Sequence, residues 1–214
     1  VSAVFGSVSG VASNDEIIAI ATELSPLRSA HSSEISLNDK LFQRIKAVYD
    51  KRETLGLDSI QMRLVEETYE GFERSGANLP ADKKEELKKL NAEISALQLK
   101  FGQNLLKETA AFKLVIENKE DLSGLTEDQI AEAASRADKA GMAGKWIFGL
   151  DNPSIMPFLA NSDKPELREK MLNAYLNRCN NNNDQDNKQV IKDLISLRLK
   201  KAQLMGYEDA AAFI

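Results

Sequence analysis

Apolar residues recur at spacings of three and four along most of this chain, and that rhythm predicts a series of helices. Residues 14–36 read as the first, with Asn14 or Asp15 as cap and Ile17, Ile20, Ala21 and Leu24 on one face. Pro26 falls inside the pattern and predicts a kink or break near Ser25. Asn38 or Asp39 opens a second helix, with Leu41, Ile45, Val48 and Tyr49 inward and an end near Gly56. Asp58 opens a third, whose stripe is Ile60, Leu64, Val65, Thr68 and Phe72, closing at Gly76.

The stretch NLPADKKEELKKLNAEISALQLKFGQNLLKET, Asn78 to Thr109, predicts a much longer helix. Pro80 sits early, where its missing N–H costs nothing, and Asp82, Glu85 and Glu86 occupy the turns that the helix dipole makes favourable to anions. Leu87, Leu90, Ile94, Leu97 and Phe101 then form a narrow apolar seam. Beyond it the period changes. FKLVIEN (112–118) and KWIFGLD (145–151) are short, apolar and β-rich, so two strands are expected around a helix that Thr126 caps and that runs to about Ala140. DNPSIMPFLANSDKP, with three prolines, reads as irregular. Helices resume at 164–178 and 187–205, separated by CNNNNDQDN, which predicts a polar, mobile loop. GSVSG near the start reads as a loose Gly/Ser stretch, and no repeat period is present. The fold class expected is mainly α: a multi-helical lobe of long antiparallel helices with one small two-stranded β element.

Composition narrows the function classes. The 214 residues are 43% hydrophobic and 29% charged, and only eleven are Gly and five Pro, which favours long helices. A net charge of −5 argues against a nucleic-acid surface, which needs a basic stripe. No run reaches the length of a membrane-spanning helix. Nucleic acid and membrane are therefore not expected partners. Cys179 is the one cysteine, so an internal disulfide is excluded and a reducing compartment fits. A cytoplasmic location is expected, with the periplasm as the alternative. The chain starts without Met and ends in GYEDAAAFI, the beginning of another apolar helix; both ends are expected to be the boundaries of a fragment.

Candidate chemistry is sparse. A zinc-protease helix needs two histidines four residues apart, and His31 is the one histidine here, with Glu34 as its potential companion. Di-iron bundles need Glu-x-x-His twice and are excluded in the same way. Glu66, Glu67, Glu70 and Glu73 cluster on one helix, where Arg63 and Arg74 make a solvated charged face the simpler reading. Cys179 follows Arg178, which would lower its pKa slightly. A nucleophilic Cys179 would need His31 as its base. Trp146 and the Leu87–Phe101 seam read as core before they read as binding surfaces. Arg168 and Arg178 are expected to pair with carboxylates of neighbouring helices.

Several stretches, taken in order, carry a resemblance. AHSSEISLNDKLFQRIKAVYDKRETLGLDSIQMRLVEETYEGFERSGANLP resembles the N-terminal region of bacterial peptidyl-dipeptidases, of the thimet oligopeptidase and neurolysin family of zinc metallopeptidases. LKKLNAEISALQLKFGQNLLKET is similar to the long helix that follows in that family. LREKMLNAYLNRC, with Arg168, Ala174 and Arg178, and VIKDLISLRLKKAQLMGYEDAAAF, with Arg198, Ala202, Leu204, Gly206 and Tyr207, look like two of its later helices. Each piece uses common residues; their order over nearly the whole chain is what makes the resemblance specific.

The resemblance implies a mainly helical shell around a deep channel. It places catalysis in a C-terminal half, where a His-Glu-x-x-His helix and a later Glu hold zinc, the metal activates a water, and the motif Glu is the base. None of those residues occurs here. The expectation is therefore that residues 1–214 form an N-terminal, non-catalytic lobe with no catalytic, cofactor-binding or metal residue of its own. Its expected partners are the catalytic lobe of the same polypeptide and, in the parent, short peptides. The alternative reading is a stand-alone helical protein-interaction module that docks through the Leu87–Phe101 seam.

Overall fold

The computed structural model describes residues 2–11 and 14–214. Ten helices are assigned among these residues: α1 (Ser2–Val11), α2 (Asp15–Ser36), α3 (Asp39–Asp50), α4 (Ser59–Arg74), α5 (Ala81–Ala111), α6 (Glu127–Lys139), α7 (Asn152–Asn161), α8 (Pro165–Leu176), α9 (Lys188–Leu204) and α10 (Ala210–Phe213). Two strands, β1 (Leu114–Ile116) and β2 (Trp146–Phe148), pair antiparallel with Leu114 opposite Phe148 and Ile116 opposite Trp146. The mainly α class with one small β element is what the pattern predicts.

The chain divides into two compact units. One comprises residues 1–100 and 191–214, the other residues 101–190. In the first, the expected caps are in place. Asn14 accepts from the Ile17 amide at 2.8 Å, and Asn38 from the Leu41 amide at 3.0 Å. Asp58 and Gln61 form a reciprocal capping box at the start of α4. Leu37, Phe42, Ala77, Leu87 and Leu90 are buried here, as are Leu194, Leu197 and Ala202.

Four expectations for this unit are revised by the structure. Helix α2 continues through Pro26 without a break; a proline removes one intrahelical bond and crowds one turn, which a 22-residue helix survives. The inward face of α3 is rotated by about one position: Phe42 is buried, Ile45 and Tyr49 half-buried, and Leu41 and Val48 exposed. Aromatic packing explains this, because Phe42 stacks on Tyr69 with centroids 5.7 Å apart and Tyr49 stacks on the same ring at 3.9 Å. On α4 the register shifts likewise, so that Tyr69 joins Val65, Thr68 and Phe72 while Ile60 and Leu64 stand 80% and 66% exposed. The GSVSG stretch lies within helix α1 rather than in a loose segment.

In the second unit, Leu114, Ile116, Phe148 and Leu150 bring the two strands into one core with Leu122, Ala133, Ile155, Phe158 and Met171. Thr126 caps α6 as its position predicts, again with a capping box. The proline-rich stretch is the clearest correction: residues 152–161 form helix α7. Pro153 occupies its first turn, where proline is preorganised, and Ile155 and Phe158 are only 0% and 1% exposed. Burial of those two side chains outweighs the bond lost at Pro157. Gly124, at φ +85°, allows the chain to pass the end of α7, since a Cβ there would lie 2.1 Å from the Asn161 carbonyl oxygen.

Candidate functional site

In the first unit, the metal candidates do not converge. His31 Nδ1 lies 3.9 Å from Glu34, and both side chains are largely exposed. Among the described residues no group of three or more His, Cys, Asp or Glu side chains is gathered as a metal would need. The residues present therefore do not fit zinc, which takes three or four convergent ligands. The acidic face of α4 is engaged in pairs. Glu67 meets Arg63 at 2.7 Å, Glu66 meets Arg52 at 3.7 Å, and Glu73 accepts a hydrogen bond from Tyr69 at 2.8 Å. That last bond, with burial second, pushes the Tyr69 phenol up to about 12. Lys201 donates to Asn91 Oδ1 at 2.9 Å, and burial holds its pKa below the ordinary lysine value.

In the second unit, Cys179 is not an activated nucleophile. Burial, then the adjoining Glu108 carboxylate, push its thiol up to about 11; Arg178 pulls the other way and is outweighed. Glu108 instead organises the Asn-rich loop. It accepts from the Cys179 amide, from Asn181 Nδ2 at 2.7 Å and from Asn183 Nδ2 at 2.9 Å. Burial alone would raise the Glu108 pKa, but these three donors together leave it lowered. Asn187 closes the loop: its amide donates to the Cys179 carbonyl at 2.8 Å, and its side chain donates to Phe101 O at 3.1 Å and accepts from Asn104 at 2.8 Å. The segment predicted to be mobile is thus tied down by the half-buried Glu108 and the buried Asn187.

Among the described residues, Arg168 and Arg178 are bonded to groups other than the carboxylates expected. Arg168 donates to the Ser162 carbonyl, fixing the α7–α8 corner. Arg178 donates to Tyr175 O and Thr109 Oγ1 and lies 3.7 Å over the Tyr175 ring. Trp146 is half-buried against the core, as its sequence context predicts.

One polar constellation escaped the sequence. Arg136 on α6 grips Asp151 with two hydrogen bonds, at 2.7 and 3.0 Å, at the edge of a concavity of about 570 Å³ lined by Leu106, Phe112, Lys113, Lys139 and Ile147. The Arg136 guanidinium, despite opposing burial, holds the Asp151 carboxyl below its ordinary range. The two residues sit 15 apart on different elements, so no helical or strand period could have paired them. Chemically the arrangement is self-satisfied: the charges neutralise each other and leave no free base or nucleophile.

The comparisons with known proteins supply what the site does not. Residues 158–214 match the model of peptidase family M3. The chain is 35% identical over 213 residues to dipeptidyl carboxypeptidase of Escherichia coli (strain K12), which covers 100% of this chain and 31% of that protein. It is 30% identical over 202 residues to a probable cytosolic oligopeptidase A of Arabidopsis thaliana, covering 92% of this chain and 29% of the relative. Oligopeptidase A of E. coli is 28% identical over 190 residues, 87% of this chain and 28% of its own length. The chain thus spans less than a third of the curated relatives it matches. The similarity runs in order from end to end of this chain and the family model matches its last helices; together they support a peptidase of family M3.

Proposed function

We propose that residues 1–214 are the N-terminal, non-catalytic helical lobe of a zinc-dependent oligopeptidase, and that the parent releases dipeptides from the C-terminus of short peptides. The observation that carries this is the end-to-end similarity to a dipeptidyl carboxypeptidase three times as long, in a chain with one histidine. The zinc belongs to a portion of the parent that this chain does not contain, and no catalytic, cofactor-binding or metal residue lies in these 214 residues. The role of this lobe is geometric. Its long helices, α5 first among them, form part of the wall of a substrate channel, which admits short unfolded peptides and rejects folded proteins by size. The parent works in the cytoplasm.

Two measurements test this reading. The gene is read beyond the codon for Ile214, where a His-Glu-x-x-His segment is expected; a stop codon there would sink the proposal. The complete product is then assayed on an N-terminally blocked peptide. Release of C-terminal dipeptides, lost on chelation and regained with zinc, is the expected result. Internal cleavage would instead assign the parent to the endopeptidases among its relatives.

A further inference from the structure

Helix α9 is apolar on two sides. Within the first unit Leu194 and Leu197 point into the core and are 8% and 9% exposed, while Ile191, Ile195 and Leu199 are 43%, 62% and 38% exposed. Residues four apart share a helix face, so these three form a continuous outward strip roughly 12 Å long. A helix at the surface of a finished globule carries one apolar stripe; a second marks a helix covered from both sides. Lys192 and Arg198 border the strip, and neither has a salt-bridge partner among the described residues. The strip lies inside the stretch that matches the family M3 model, in a chain whose relatives are about three times its length.

We propose that the Ile191–Ile195–Leu199 strip seats a segment of the M3 polypeptide that lies outside this chain, one that presents apolar side chains bordered by carboxylates. This rests on the peptidase reading and names the contact by which the lobe joins the rest of the enzyme. Apolar burial supplies the attraction, and Lys192 and Arg198 supply the register.

The test replaces the matched stretch of E. coli dipeptidyl carboxypeptidase with this chain and introduces Ile195→Cys. Maleimide labelling of the new thiol is followed by mass spectrometry and compared with the same substitution in the isolated chain. Labelling about tenfold slower or more in the chimera is expected, since a covered thiol reacts only on local opening. Leu199→Cys serves as a second site should Ile195→Cys fail to fold, and Ile60→Cys, at an 80% exposed position on α4, is the control for general access. Adding Arg198→Glu should restore fast labelling; an unchanged slow rate would remove the carboxylates from the occupant. Equal rates in chimera and isolated chain overturn the proposal. So does slow labelling in an isolated chain that sediments as a dimer, which would assign the strip to a second copy. Peptide hydrolysis by the chimera is scored separately: a hydrolysing chimera with a fast-labelled strip sinks this contact alone, and a protected strip without hydrolysis sinks the peptidase reading.

Discussion

Glu108 illustrates how a single carboxylate can hold a loop that sequence alone marks as free. It receives three donors from the 179–183 segment, and they keep its pKa below the ordinary 4.5 despite burial. A carboxyl whose pKa is lower folded than unfolded stabilises the fold above the unfolded value and loses that contribution as pH falls through the folded one. Glu108→Gln should therefore destabilise the chain by about 1 kcal/mol at neutral pH, in line with lost charge-assisted hydrogen bonds. The gap between variant and wild type should close as pH drops below the ordinary 4.5. Urea midpoints at pH 7 and pH 3.5 would check this, and a gap that widened in acid would refute it. Neither this network nor the Arg136–Asp151 pair was legible in the sequence, because their partners lie 71 to 75 and 15 residues apart, respectively. The positions of Thr126, Asn38 and Asp58 were legible, because a cap acts on amides two or three residues away.

At the scale of the element, local signals placed nearly every helix and both strands, and failed where burial overrode them. Helix α7 is the case in point: prolines argue for irregular chain, yet Ile155 and Phe158 have a core to enter. The corner before α6 depends on Gly124, which has a left-handed backbone and where a Cβ would lie 2.1 Å from the Asn161 carbonyl oxygen, leaving no room for a methyl group. Gly124→Ala should cost more than about 2 kcal/mol, combining left-handed strain with a backbone clash. Thermal unfolding would measure it, and a neutral result would contradict the close approach. Pro26 offers the opposite case, being exposed in the interior of α2. Pro26→Ala restores the missing amide and should stabilise the chain by about 1 to 3 kcal/mol. A lower denaturant midpoint for that variant would mean that the proline has a packing role.

At the scale of the molecule, the absence of convergent chemistry becomes a prediction. The isolated chain should hydrolyse no peptide and should carry substoichiometric zinc by elemental analysis, since no three His, Cys, Asp or Glu side chains gather among the described residues. One tightly held zinc per chain would overturn the non-catalytic reading. Helix α9 belongs to this scale as well: its inward residues are explained by the lobe's own core, and the proposed contact would account for its outward ones.

The sequence by itself determined the class of fold, the order and caps of most of its elements, and the resemblance to family M3 peptidases, because periodicity, capping and motif order are local properties written along the chain. Only the tertiary structure decided which side of α3 and α4 turns inward, that residues 152–161 coil into a helix, and that the Asn-rich loop is held. Those outcomes depend on which distant side chains are available to stack, to bury or to accept a hydrogen bond, and a linear pattern carries no record of neighbours brought together by folding.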